Sequence, residues 1–380
     1  MRLYDPRPGP REALLLRAAL FEDERGRSAW RAWRAEADLD NIDQASFRLL
    51  PLVYRNLERL GEEDPWLGRL RGFYRRAWAE NQILFRRLAV AIGQLGEQGI
   101  ETIVLKGAAL ASPDYRDVGT RPMADVDLLV RGADFVPAVD VLCKAGWRLE
   151  PYAAAWKGGL AGTYRMNRNA VGLLGPDDTL PVLDLHHRLL HLYERHLVDF
   201  PEGRLFAESV PFELGGAATR RLGPEHSVLH TAFHGLQRQS VGTIRWIVDI
   251  DRIVRAAGTS MRWPLLIDEA RRASILAPVR EALELVARDY DTPVPSSVLR
   301  GLRRLPLAGV ERFERAMRYG EPRFVAALAR SVAPALRLMR ARDVSRAPVV
   351  RHAGKVVERV LVRPPIRLAR RLGRRTSEGG

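Results

Sequence analysis

Apolar residues recur at three- and four-residue spacing in two early stretches, REALLLRAALFEDERGRSAWRAWRAEADL (11–39) and AWAENQILFRRLAVAIGQLGEQG (77–99). That period marks amphipathic helices, and Gly99 stands where the second should stop. The pattern then changes. IETIVLKG (100–107) is rich in β-branched residues and closes on a glycine, as a strand running into a turn does. ADVDLLV (124–130) reads as a second strand. GADFVPAVDVLCKAGW reads as a helix capped by Gly146. WRLEPY and TYRMNRNAVGLL are further strand candidates, and LPVLDLHHRLL runs from a strand into a helix. Strands and helices thus alternate through 101–190, which predicts a small domain built from both. After residue 220 the helical period returns in GPEHSVLHTAFHGLQRQ, IRWIVDIDRIVRAAG and WPLLIDEARRASILAPVREALELVARDY. These patterns divide the chain into an N-terminal helical region (1–85), a core (86–200), a C-terminal helical domain (201–336) and an Arg-rich tail (337–380).

Within the core, Asp125 and Asp127 interrupt an otherwise apolar strand. Side chains alternate across a strand, so the two carboxylates share one face while Val126 and Leu128 point the other way. Like charges side by side need a cation, and hard oxygen ligands suit Mg²⁺ or Mn²⁺. The surroundings add to this. About twenty residues earlier, Lys106 and Gly107 end a strand at a turn where backbone N–H groups can meet phosphate. The strand VLDLHH supplies Asp184, and His186, two residues on, shares its face. Three carboxylates facing a phosphate loop suit a two-metal phosphoryl displacement.

The order LKG–aliphatic, Tyr115, an Arg-Pro at Arg121, D-h-D-h-L-V and then an acid-h-His strand resembles the nucleotidyltransferase superfamily that includes DNA polymerase beta. It is most similar to the group of bacterial nucleotidyltransferase family proteins that are uncharacterised. The resemblance covers roughly residues 80–275. It implies an α+β fold, in which a polymerase-beta-like core, a small mixed sheet with helices, is flanked by N- and C-terminal helical regions. It further implies Mg²⁺ or Mn²⁺, an NTP and transfer of NMP to a hydroxyl acceptor with release of pyrophosphate. On that reading Asp125, Asp127 and Asp184 hold metal, with Asp184 either binding the second metal or acting as base toward the acceptor hydroxyl. Lys106, Gly107, Arg121 and His186 hold the nucleotide. Gly107-Ala108 stands where the wider superfamily has Gly-Ser or Gly-Gly, so a serine hydroxyl is missing from the turn. Lys106 and Arg121 are the expected replacements.

Composition narrows the remaining classes. No uncharged apolar run reaches the roughly 18 residues of a membrane span, and no signal peptide is expected. The single cysteine, Cys143, excludes an intrachain disulfide and a cysteine metal cluster. It reads as core on the helix after the D-x-D strand. A cytoplasmic protein is expected. The net charge of +15 is concentrated in the tail, where thirteen basic residues face three acidic ones. That tail suits an anionic membrane surface, peripherally bound, or RNA. Two alternatives therefore stay open. One is a toxin-type enzyme that modifies RNA or tRNA; the other is a degenerate nucleotide-binding scaffold at a membrane. His226, His230 and His234 recur on one helical face. Without an H-E-x-x-H arrangement they are not a protease site, and they read as packed between helices or lining the acceptor side of the cleft. Asp249 and Asp251 diverge on a helix, so this second D-x-D is not a metal site. Asp249 reads as an ordinary helix acid, with a buttress to the cleft as the alternative.

Overall fold

Short β-branched and apolar runs pair into one mixed sheet: β1 (Ile103–Leu105), β2 (Asp125–Leu129), β3 (Arg148–Leu149), β4 (Ala170–Leu174), β5 (Val182–His186), β6 (Val210–Leu214) and β7 (Ala217–Arg221). Their spatial order is β3-β4-β5-β2-β1-β7-β6. β2 runs antiparallel to β1 and parallel to β5, and β7 lies parallel to β1. The computed structural model describes residues 7–150, 169–176, 182–190, 200–237, 244–308 and 311. The Arg-rich tail, part of the strand candidate TYRMNRNAVGLL and the helix expected after LPVLDLHH lie outside the described residues.

Strand alternation sends each face of the sheet to a separate apolar cluster. Val104, Val126, Leu128, Leu183 and Leu185 pack in a layer with α5 (Leu67–Gly96) and α7 (Phe135–Lys144). Ile103, Leu105 and Leu129 belong to the opposite cluster. That cluster takes in the N-terminal helices α1 (Pro10–Leu20), α2 (Glu24–Ala35) and α4 (Leu50–Leu60). It also takes in α9 (Pro224–Gln237), α10 (Arg245–Ala257), α11 (Trp263–Arg272) and α12 (Leu276–Asp289). Three short helices, α3 (Gln44–Phe47), α6 (Lys106–Ala111) and α8 (Glu202–Ala207), and the later α13 (Ser296–Arg304) complete the described elements other than 3₁₀ turns. The fold is α+β.

Several local differences from the sequence reading have plain causes. The stretch 11–39 is two helices, not one: Phe21 is extended, and the Asp23 carboxylate accepts from the Arg25 backbone N–H to start α2 afresh. The stretch 263–290 also divides, at Ser274, whose φ of 54° leaves the helical region. The hairpin β6–β7 adds two strands where helix was expected. Its turn is Gly215-Gly216, both at positive φ, the chemistry that a two-residue hairpin demands. Cys143 is exposed rather than core. The buried face of α7 is Phe135, Ala138, Val139 and Leu142, and the next residue turns away from it.

The N-terminal helices are anchored by tryptophans. Trp30 and Trp33 are fully buried and stack at 5.5 Å, and Trp66 meets Trp33 edge-on at 6.5 Å. Such pairs add to the area term. Trp33→Ala should lower stability by about 3–5 kcal/mol, measured by denaturant unfolding; a change within the noise of the wild type would show that this cluster does not support the fold.

Candidate active site

The site grows from a register. β2 and β5 are parallel neighbours in which Asp127 lies opposite Asp184 and Leu129 opposite His186. Asp127 and Asp184 therefore project from the same side of adjacent strands, and His186 follows Asp184 on that face. The His186 Nε2 is 2.9 Å from the Asp127 Oδ1, and its Nδ1 lies 3.2 Å from the Asn169 side-chain nitrogen. Ligand atoms of Asp127, Asp184 and His186 all fall within 4.8 Å of one another. Among the described residues this is the one group of three or more such side chains so close. Asp125 stands outside it. It is the first residue of β2 and is exposed, yet its negative charge still reaches Asp184.

Lys106 closes the group from the other side. β1 is antiparallel to β2 with Leu105 opposite Asp127, so the next residue leaves the sheet beside the carboxylates. Lys106 has φ of 47°, an uncommon left-handed conformation for a residue with a side chain. Its ammonium donates to the Asp127 Oδ1. The turn after it is tightly filled. A methyl group on Gly107 would collide with the Arg121 guanidinium and the Met123 side chain. Glycine is therefore needed at 107 for close approach, and what approaches is protein. Arg121 is 4 % exposed. It is held by a two-pronged bond to Asp249 on α10, Nε to Oδ1 and Nη2 to Oδ2, both 2.8 Å. The Tyr115 hydroxyl donates to the same Asp249 Oδ1. From α5, Asn81 donates to the Arg121 carbonyl at 3.0 Å. The structure thus places Gly107 and Arg121 behind Lys106, in contact with each other and buried.

The electrostatics separate the carboxylates. Burial would raise Asp127, but the charge on Lys106 and the bond from His186 overcome it and hold this carboxyl well below the usual range. Asp184 is half-buried, and among the described residues no donor is bonded to it. Burial first, then the charge on Asp127, pushes it up to about 6. His230, on α9, is 4 % exposed and lies in the field of Lys106, Asp127 and His186; burial and then Lys106 hold it down to about 3, so it is neutral. Helical spacing alone could not show which of the three histidines meets the site. His226 packs edge-on against Phe200, and the His234 ring lies 6.0 Å from that of His230. Asp249 reads from sequence as a helix acid, with a buttress to the cleft as the alternative, and its partner Arg121 is out of reach of sequence because it is 128 positions away.

Two carboxylates and an imidazole in one group form a donor set for a divalent cation, with oxygen ligands suited to Mg²⁺ or Mn²⁺. The Lys106 ammonium stands where positive charge is needed against Asp127. The residues present therefore fit a metal.

A family model described as an uncharacterised nucleotidyltransferase matches residues 44–291, more than half of the chain. No curated protein matches it. Among solved structures, the chain is similar to the antibiotic-resistance factor ANT(2'')-Ia at 11% identity, covering 56% of this chain and 95% of that one, with a TM-score of 0.33. It is also similar to an antigenic nucleotidyltransferase-like protein from Paracoccidioides brasiliensis at 16% identity, covering 59% and 94%, with a TM-score of 0.36.

Two outcomes follow from this geometry. Metal ligands must be deprotonated, so Mn²⁺ affinity should hold steady above the Asp184 value of about 6 and fall with acidification below it. One displaced proton corresponds to about tenfold per pH unit, measured by calorimetry; equal affinity at about pH 5 and about pH 7 would exclude Asp184 as a ligand. Separately, Asp249→Ala strands the buried Arg121 without its partner. Breaking a buried pair costs about 3–5 kcal/mol, and a thermal melt unchanged from wild type would contradict the buried pairing.

Proposed function

The chain belongs to a family of uncharacterised nucleotidyltransferases, and on that premise we propose that it moves an NMP from an NTP to a hydroxyl acceptor, a small molecule or a protein side chain. Pyrophosphate leaves, and Mg²⁺ or Mn²⁺ is the cofactor. The observation that carries this reading is the in-register pair Asp127 and Asp184, with His186 in ligand distance of both.

Asp127, Asp184 and His186 would hold the cation, with Asp125 at the exposed entrance of the same strand face. When bound, the cation would neutralise charge on the phosphates and on the departing pyrophosphate. The chain's own residues do the rest. Asp184 is half-buried opposite Asp127, so its carboxylate oxygen not engaged in holding the cation would be placed to take the proton of the acceptor hydroxyl. The acceptor oxygen then forms its bond to the α-phosphorus as the bond between the α-phosphorus and the bridging oxygen breaks. Lys106 leaves β1 in a left-handed conformation beside Asp127, where its ammonium would pair with the phosphates if Asp127 were engaged in holding a cation. Gly107 and Arg121 are assigned to shaping that turn, because both are buried against each other and the fork of Arg121 is filled by Asp249. His230 is a neutral imidazole facing the carboxylates from the helical side, suited to a hydrogen bond with the acceptor.

The test is incubation of the full chain with each α-labelled NTP, Mg²⁺ or Mn²⁺, and fractions of small molecules, protein and RNA. Label should move, in a metal-dependent way, to the small-molecule or protein fraction. Label found only in RNA would move the acceptor to that class. Asp184→Asn should slow transfer by about 10²–10⁴-fold, and Asp127→Asn should abolish it while circular dichroism stays native. Full-rate transfer by the Asp127 variant would sink the assignment.

A further inference from the structure

Among the described residues, four large apolar side chains are exposed: Trp78, Ile83, Val90 and Val136. All four lie on two neighbouring helices. The first three belong to α5 and the last to α7, and these helices pack together on one face of the sheet. Single apolar residues scattered over a surface are ordinary, but a concentration on one layer marks a contact surface. The core does not account for them. Leu84, Phe85, Leu88, Ile92 and Leu95 already supply the side of α5 that meets the sheet.

Helical geometry orders the outer side. At about 100° per residue, Ile83 and Val90 fall nearly in line, about 10 Å apart along the axis. Arg75 and Arg86 lie on one flank of that line and Arg76 and Arg87 on the other, all within about 70° of it. Trp78 stands beyond the Arg75 flank. The span 71–90 holds five arginines against one acid, Glu80, which accepts from Arg76 at 2.7 Å. On α7 the exposed Asp140 and Lys144 offset each other. The outer side of α5 is therefore an aliphatic line between two rows of guanidinium groups, with a surplus of positive charge.

That pattern fits a surface that is apolar within and negatively charged at its rim, as an anionic bilayer is. Aliphatic side chains enter the boundary of the acyl chains, arginine stems lie along it with their heads at the phosphates, and tryptophan rests at headgroup level. The competing occupants fit less well. A second copy of the chain, related by a two-fold axis, would set the same surplus of positive charge against itself. A nucleic acid would use phosphates and stacked bases, which leaves Ile83 and Val90 without a role. We propose that the outer side of α5 docks on an anionic lipid surface, with Ile83 and Val90 at the apolar boundary and the flanking arginines on lipid phosphates. Asp127 and Asp184 project from the opposite face of the sheet, so docking in this way turns the carboxylates away from the bilayer. The surface is separate from the Arg-rich tail and does not depend on nucleotidyl transfer.

The full chain carrying Cys143→Ser and Ile83→Cys has a single thiol, on the outer side of α5, for a nitrobenzoxadiazole label. The label distinguishes contact by α5 from tethering by the tail. With vesicles of phosphatidylcholine and phosphatidylserine its emission should move to the blue; with phosphatidylcholine alone it should not. In the unlabelled chain, Ile83→Asp combined with Val90→Asp should weaken co-sedimentation with the anionic vesicles about tenfold or more, and Arg75→Gln combined with Arg86→Gln about as much. Arg300→Gln, which removes an exposed arginine of α13, should leave binding unchanged. Circular dichroism checks each variant, and if the paired Asp variant fails to fold, the paired Gln variant decides. Vesicle-bound protein whose label still emits as in water would show tethering by the tail alone and overturn the α5 surface. Wild-type binding by the folded paired variants, an equal loss in Arg300→Gln, or no binding by the wild type would overturn it too. A blue shift with polyuridylate or polyglutamate and none with vesicles would replace lipid by that polyanion.

Discussion

The bidentate bond between Arg121 and Asp249 organises this molecule around its site. It is buried at both ends and joins α10, in the C-terminal helical region, to the loop that leads into the D-x-D strand. Its consequences run outward by contact. The Arg121 guanidinium lies against Gly107, so residue 107 can carry no side chain. The turn at Gly107 sets Lys106 in its left-handed conformation, and Lys106 meets Asp127. Tyr115, in the same loop, adds a further bond to Asp249, and Asn81 braces the loop from α5. A buried ion pair is not in itself a large source of stability, because desolvation offsets much of the attraction. Its value here is placement: one geometry brings two donors of Arg121 and the Tyr115 hydroxyl onto Asp249, and departures strand a charge.

The carboxylates show how environment divides roles among like groups. Asp127 and Asp184 lie opposite each other on parallel strands, yet one is saturated with donors and the other is not. The first is held ionised under all ordinary conditions, and the second is left near the pH range in which it can exchange a proton. Asp125 shares their face but sits at the solvent end of β2, so its charge acts at longer range. Basic residues divide in the same way: the fork of Arg121 is filled by Asp249 and builds the loop, whereas the Lys106 ammonium reaches the carboxylates.

The family and the α+β fold were legible in the sequence because their signals are local and ordered. An apolar period changing from helical to alternating marks the sheet. The two-residue spacing of Asp125 and Asp127 puts both on one face whatever the rest of the chain does. Glycines at 99 and 146 mark helix ends because they occupy positive φ, 70° and 94°. The break at Ser274 was illegible, since a serine at positive φ has no sequence signature, and the exposed Cys143 depended on which face of α7 met the sheet.

What the sequence determined by itself was chemistry and periodicity: which residues carry carboxylates, imidazoles and guanidinium groups, and which share a face of their own element. Only the tertiary structure decided partnership. The register of β2 against β5 selects Asp127, Asp184 and His186 as neighbours. A slip of one residue would send Asp184 to the opposite face. The pairing of Arg121 with Asp249 and the bond from Arg245 to the Pro122 carbonyl join positions more than a hundred residues apart. No local pattern encodes such contacts, because they depend on how whole elements pack. Packing decides which charges lose water and which of them find a counter-ion.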